Sequence, residues 1–313
     1  LADDLGNRLL PVFNSPTGLP FVYINLKTGA VRGDTTNPAE AGTLLMEFGT
    51  LAKLTGKTIY YEKAKRALVE LYKRRSPLGL VGQSIDVRTG KWTSTRSHLG
   101  GLIDSYYEYL YKCWKLFGDE ECGDMWKASI KAIHAAMPDT VNGRVWYARV
   151  DMNTGAKVAR RWGGLEAFFP GLLAYSGDIS RARTVQESNF HMWTRNNIEP
   201  EVFNYVTDSV AYNGYPLRPE IMESAWYLYT LTGDTLYQQQ GRTIFRNLKQ
   251  YCRTKYGYAE LENVITKEQR DMMESFFLAE TMKYLYLLFA SAGTIDLKTT
   301  VFNTEAHPLQ KTW

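Results

Sequence analysis

The sequence predicts an all-α fold: a curved array of helical hairpins that either closes into an α/α barrel or stays open as a solenoid. Three observations predict it. Glycine-bearing turns recur at Gly56, Gly118, Gly177 and Gly233, in steps of 62, 59 and 56 residues, a period that holds two helices and their loops. The segment before each turn is apolar and aromatic, whereas the segment after it is apolar along one stripe only. Helices of those two kinds belong to an inner and an outer layer. Finally, every inner segment carries a glutamate at about the same height above its turn.

In chain order, residues 2–13 read as a short helix with Leu5, Leu9, Leu10 and Phe13 apolar, bent or ended by Pro11. Residues 14–40 are loop-like, with a short strand at Phe21-Val22-Tyr23-Ile24. Inner helices are expected over 43–54, 98–117, 163–175, 219–231 and 273–289. Outer helices are expected over 59–75, 120–137, 179–194 and 236–253. Each turn glycine suits the left-handed cap that ends a helix. The tail, Thr300 to Leu309, is extended in character.

Composition excludes several classes. The net charge of +4 is small for 313 residues, and the basic side chains are dispersed among acids, so no nucleic-acid surface is expected. No apolar run is long enough to cross a bilayer. The opening residues, Leu1-Ala2-Asp3-Asp4, do not read as a signal peptide; a removed leader or a start inside a longer chain would account for them equally. Three cysteines cannot all pair within the chain. Cys113 and Cys122 flank a turn and are candidates for a disulfide across a helix hairpin, whereas Cys252 reads as a small core residue.

The glutamates carry the chemistry. Glu47, Glu108, Glu166 and Glu223 stand nine to eleven residues before their turn glycines, and Glu280 stands ten before Ala290. Asp104, Glu220 and Glu274 lie one or two turns nearer the N-terminus. A solenoid core has no use for a ring of acids, but a barrel with a polar cavity does. The alternative is that each acid pairs with a cation or caps a neighbouring helix. At Leu217-Arg218-Pro219-Glu220, with Glu223 one turn on, two carboxylates share one face at the start of a buried helix. They either favour the helix dipole or wait for something cationic or protic. Trp92, Trp146, Trp162 and Trp193, near helix ends or in loops, either line a sugar-sized pocket or pack at its rim. His307 is either a base or a structural residue.

Several of these segments together resemble the class I α-1,2-mannosidases, glycoside hydrolase family 47, and within it the ER-degradation-enhancing mannosidase-like branch. The motifs are Gly18-Leu19-Pro20 with Val22-Tyr23-Ile24-Asn25-Leu26, Ala41-Gly42-Thr43-Leu44-Leu45-Met46-Glu47-Phe48, Asp104-Ser105-Tyr106-Tyr107-Glu108 and Ala167-Phe168-Phe169-Pro170-Gly171. They continue with Tyr215-Pro216-Leu217-Arg218-Pro219-Glu220, Met273-Glu274-Ser275-Phe276-Phe277 and Phe302-Asn303-Thr304-Glu305-Ala306-His307-Pro308. They follow the family's order and span nearly the whole chain.

The resemblance implies a single (αα)7 barrel over residues 1–313. About five of its hairpins are present here, the N-terminal third is lacking, and the β-like tail plugs one end. It implies a Ca²⁺-dependent, inverting α-1,2-mannosidase that trims mannose-rich N-glycans on glycoproteins, in the endoplasmic reticulum lumen or secretory pathway. By resemblance Glu220 is the general base, and Asp104 donates the proton or supports its donor. Arg218 holds Glu220 and contacts sugar. Glu47, Glu108, Glu223, Glu274 and Glu305 build the shell around sugar and calcium, and Thr304 is the calcium ligand. Inversion asks for two carboxyl groups roughly 6.5–9.5 Å apart. A separate N-terminal fragment bearing the candidate acid, and an oxidoreductase, are further candidate partners. Leu102 stands where some members have Arg, and Gly164 where the trimming enzymes have His, which favours the degradation branch. Two rival readings remain: a mannose-glycan-binding quality-control module without significant catalysis, and a helical scaffold whose acids are structural.

Overall fold

The computed structural model describes residues 1–311 of the chain. Eleven α-helices appear among them: α1 (Ala2–Leu9), α2 (Pro38–Gly42), α3 (Leu45–Thr55), α4 (Ile59–Lys73), α5 (Asp104–Phe117), α6 (Glu120–Ala136), α7 (Phe169–Tyr175), α8 (Ile179–Asn196), α9 (Glu220–Thr232), α10 (Leu236–Tyr251) and α11 (Met282–Phe289). They fall into two compact units. No described helix is long and apolar enough to cross a membrane.

The turn glycines do what their spacing predicts. Gly56, Gly118 and Gly233 end α3, α5 and α9 in the left-handed conformation, and each N–H returns to the carbonyl four residues back. Gly177, at φ 100°, follows α7. A side chain would be strained at such angles, which is why glycine punctuates the repeat.

The first unit gathers Leu1–Met137, Arg149–Val158 and the described residues from Leu297 onward. Here α3 packs on α4 and α5 on α6, while α3 and α5 lie side by side. The inner helix α5 is buried almost throughout, from Ser105 to Cys113. The outer helix α4 buries only Tyr60, Ala64, Ala67, Leu68 and Leu71, one stripe at helical spacing. Phe13, Phe48 and Tyr60 meet edge to face, with centroids 5.6 and 6.0 Å apart. The tail forms an antiparallel hairpin, Thr300–Phe302 with Pro308–Gln310, whose first strand packs on α5.

The second unit gathers Pro138–Ala148 and Ala159–Asp296. In it α7, α9 and α11 are the inner helices, with α9 packed against both others. The outer helices α8 and α10 each pack on their own inner partner and on the next. Trp146 stacks on Tyr205 at 5.2 Å with rings nearly parallel, and Trp162 and Trp193 are wholly buried.

Four expectations need correction. The protein is not all-α: short antiparallel hairpins fill the connections, such as Pro138–Val141 with Arg144–Tyr147, Val202–Asn204 with Ser209–Tyr212, and Glu260–Asn263 with Glu268–Arg270. Strands of three or four residues are too short to show alternation. The inner helices also start late. Gly100, Gly101 and Leu102 at φ 78° hold off the helix until Asp104. A 3₁₀ turn, Leu165–Phe168, precedes α7, and a π turn, Phe277–Thr281, precedes α11. Cys113 and Cys122 are free, buried thiols rather than a disulfide, and Lys65 Nζ donates to Cys122 Sγ at 3.3 Å. Finally, Trp146, Trp162 and Trp193 are buried core residues rather than exposed sugar platforms.

Candidate active site

In the second unit, the segment before α9 is held under tension. Leu217 is wholly buried at φ 62°, a conformation that costs a non-glycine residue roughly 1–2 kcal/mol. Its carbonyl accepts from Thr281 Oγ1 at 2.7 Å, and Tyr215 OH donates to the Arg218 carbonyl at 3.3 Å. Tyr215 is itself paired through its backbone to Leu261 and meets Trp193 edge to face. This framework fixes where Arg218 and Glu220 stand.

Arg218 does not hold Glu220. Its Nη2 donates to Glu201 Oε1 at 2.6 Å and its Nε to Glu201 Oε2 at 3.0 Å, a fork matched to a carboxylate. Glu220 occupies the first turn of α9, and its Oε2 is buried without a hydrogen-bond partner. Burial pushes Glu220 up to about 8. Arg218 and the residue's own backbone N–H pull the other way, while Glu201 and Glu223 add to the rise. Glu223, half-buried one turn on, accepts from Tyr284 OH at 3.3 Å.

Three acids that the motif reading passed over belong to this cluster. Glu201 is the partner of Arg218. Glu199 is wholly buried, with both oxygens unpartnered. Glu260 is buried, and its carboxyl is raised by burial and then by Glu274. The run Ile198-Glu199-Pro200-Glu201, two acids around a proline just past a helix end, was the available signal. Backbone room is made by Gly163 and Gly164. A Cβ on Gly163 would sit 2.1 Å from the Glu201 carbonyl oxygen, and one on Gly164 would sit 3.2 Å from Arg218 Cγ.

The first unit assembles a second group around the tail. Tyr109 OH and Asn303 Nδ2 both donate to Glu47 Oε1, at 2.7 and 2.9 Å. Thr304 N–H donates to Tyr109 OH at 3.4 Å. Glu47 and Thr304 are therefore brought together. Glu108 forms a buried ion pair with Lys112, one turn on in α5, so this member of the acid series is paired within its own helix. Asp104 is the first residue of α5 and accepts from the N–H and hydroxyl of Ser105. Glu305 and His307 are exposed; the backbone N–H of each donates to Asn303 Oδ1, which orders the turn.

No cluster of three or more His, Cys, Asp or Glu side chains among the described residues is arranged to hold a metal. The Thr304 neighbourhood offers a different donor set. Its half-buried hydroxyl makes no hydrogen bond among the described residues, and the Glu47 carboxylate and Asn303 amide stand nearby. These are hard oxygens of the kind that Ca²⁺ takes, completed by water. The residues present fit that ion.

The comparisons place the sequence and the fold in a known family. The sequence profile of glycosyl hydrolase family 47 matches residues 1–311. Alpha-mannosidase I MNS5 of Arabidopsis thaliana is 39% identical over 99% of this chain and 54% of its own length. ER degradation-enhancing alpha-mannosidase-like protein 3 of Homo sapiens is 40% identical over 99% of this chain and 34% of its own. The α-1,2-mannosidase of Trichoderma reesei superposes with a TM-score of 0.89 at 26% identity, covering 98% of this chain and 73% of that one. The chain spans about half the length, or less, of these curated relatives. With its fold, its motifs and its profile in accord, this chain belongs to glycosyl hydrolase family 47.

Proposed function

We propose that this chain carries the greater part of an α-1,2-mannosidase domain, an (αα)7 barrel that hydrolyses mannose-rich N-glycans with inversion in the secretory pathway. The observation that carries the reading is Glu220: a carboxyl group with a buried, unpartnered oxygen, at a helix start, beside an arginine already committed to Glu201. A side chain so placed is costly to the fold and suits proton transfer. In this reading Glu220 takes a proton from the attacking water, and Asp104 delivers or supports the proton to the leaving oxygen. Arg218 and Glu201 form a rigid wall for sugar hydroxyls. Glu223 and Glu274 add acidic groups to the second unit, while Glu47 and Glu108 belong to the first, where Glu108 is paired with Lys112.

Thr304, with Glu47 and its shell, would hold Ca²⁺, which orients sugar hydroxyls when bound. Endoplasmic reticulum localisation and a role in glycoprotein quality control follow the relatives named for ER degradation enhancement. An oxidoreductase is the further partner in this reading.

One observation favours a second reading, a mannose-glycan-binding module with little turnover. With its carboxyl pushed up to about 8, Glu220 is mostly protonated at neutral pH and a poor base unless something lowers it.

The test is mannose release from an oligomannose glycan, with and without chelator, alongside intact mass of the purified material. Release that chelator stops supports the enzyme. Glycan binding without release, from material whose mass is this chain alone, supports the binding module.

A further inference from the structure

A cavity of about 650 Å³ opens on the first unit, between the C-terminal half of α6 and the chain that leaves α4, and no role assigned above uses it. Its walls are fixed before any ligand arrives. Gly79, at φ 83°, lets the chain turn down onto α6, where a Cβ would sit 2.9 Å from Ala132 Cβ. The Gly79 N–H donates to the Ser76 carbonyl at 2.8 Å. Ser76 is itself buried; its N–H donates to the Leu80 carbonyl and its hydroxyl to the Met152 carbonyl. A cavity built in this way costs little ordering when it is filled.

The charges around it have one sign. Lys73, Arg75 and Lys131 line the cavity, and no Asp or Glu stands among the described residues lining it. Lys73 has a carboxylate of its own, Glu70 at 3.4 Å, and suits the carbonyl end of α4. Arg75 and Lys131 have no carboxylate partner among the described residues. Arg75 lies outside any helix, is half-buried and is held in place. Its guanidinium carbon stands 3.5 Å from the centre of the Tyr72 ring, and its Nη1 donates to the Tyr72 carbonyl at 2.7 Å. A fixed, partly desolvated guanidinium with donors to spare and no carboxylate calls for an anion. The shape says which kind. Helices α4 and α6 border the cavity with their carbonyl-end halves, so a compact dianion finds no helix start to hold it. Between the cations the surface is apolar, with Pro77, Ala128 and Ala135 exposed and Leu78 exposed by 43%. Carboxylates spaced by an apolar side chain match that arrangement.

We propose that this cavity is a docking site for an acidic segment of a partner polypeptide. An apolar side chain of the segment seats against Leu78 and Ala132, and the carboxylates that flank it meet Arg75 and Lys131. The pairing of charges sets which segments dock, and the apolar surface between them supplies the burial. The site is separate from the acids of the second unit and does not rest on the mannosidase reading.

The experiment is calorimetry and amide NMR of the full chain with a short, end-blocked peptide of alternating Asp and Leu. The peptide should bind saturably, shift the amide signals of Gly79 and Lys131, and bind several-fold more weakly as salt is raised. The same peptide with Asn in place of Asp should bind about tenfold more weakly. Lys131→Glu, at an exposed position, should weaken binding about tenfold, and Leu78→Asp by a similar factor. Lys127→Glu, exposed on the same helix but outside the cavity, should leave it unchanged. Arg75→Met should abolish it; if that variant does not fold, Lys131→Glu and Leu78→Asp decide. Four results overturn the proposal. No saturable binding removes the site. Equal affinity for the Asp and Asn peptides leaves only an apolar groove. Displacement of the peptide by inorganic phosphate at constant ionic strength marks a compact-anion site. An equal loss in Lys127→Glu and Lys131→Glu reduces the attraction to overall charge.

Discussion

Arg218 grips Glu201 through two hydrogen bonds, of 2.6 and 3.0 Å, and so leaves the neighbouring Glu220 without a cation of its own. Both partners of the pair are about one-fifth exposed, enough burial for the fork to matter. Arg218→Lys keeps the charge but not the fork, and should lower stability by about 1–2 kcal/mol. Arg218→Met leaves Glu201 uncompensated and should cost about 3–5 kcal/mol. Urea denaturation of both variants checks the order; equal losses would show that the second hydrogen bond contributes nothing.

Glu220→Gln removes the proton acceptor while keeping shape and polarity. Mannose release should fall by roughly 10²–10⁴-fold. Glycan binding, measured by calorimetry, should persist. An unchanged rate would displace Glu220 from the base role.

Thr304→Ala removes a hydroxyl that makes no hydrogen bond among the described residues. Without calcium the melting temperature should barely move. With calcium, the upward shift seen in the parent should shrink, since a ligand that binds only the folded state stabilises by its occupancy. Equal calcium shifts in both proteins would take Thr304 out of the ion's site.

Lys112→Met leaves the buried Glu108 carboxylate alone inside α5 and should cost about 3–5 kcal/mol. The double change with Glu108→Leu should recover most of that loss, because two well-packed apolar side chains replace a buried pair at little net cost. Thermal denaturation of the single and double variants distinguishes this from a simple packing effect, in which the losses would add.

Stability should respond to pH through two opposing sets of groups. Folding raises Glu220 to about 8 and raises Glu199 as well, in both cases chiefly through burial. The contribution of Glu220 is complete below the ordinary carboxyl range and is lost as pH rises through about 8. His98 is buried with its Nδ1 accepting from Gly100 N–H, and burial, with Arg149 and Arg96, lowers it to about 3. Its contribution is present above the ordinary histidine value of 6.5 and is lost as pH falls toward about 3. Each group alone gives a slope of up to about 1.4 kcal/mol per pH unit. Glu220→Gln should flatten the alkaline side and His98→Asn the acid side of a stability profile measured by denaturant titration. A profile unchanged in either variant would show that the group does not titrate with folding.

How much of this was readable beforehand follows from the kind of force involved. The turn glycines, the inner and outer helix faces and the core stripe of α4 were legible because they depend on local backbone geometry and on which residues avoid water. The hairpins between helices were not, since strands of three or four residues carry no period. The start of α5 was missed where Leu102 adopts positive φ, a strain that only surrounding contacts can hold, whereas α9 begins within one residue of its expected start.

The acids divide in the same way. Glu47, Glu108, Glu166, Glu223 and Glu280 were singled out by their height above each turn, Glu220 by its place at a helix start after Arg218-Pro219, and Asp104 and Thr304 by motif. Whom they touch was decided by tertiary structure. Arg218 chose Glu201 over Glu220, Lys112 claimed Glu108, and Asn303 and Tyr109 converged on Glu47. Glu199 became a buried acid because the chain leaving α8 carries it inward between the buried Ile198 and Pro200. By itself the sequence determined a repeating helical array of family 47 type. Only the folded chain decided which charges are paired and which are left exposed to chemistry, because hydrogen bonds and desolvation depend on neighbours brought together from distant parts of the chain.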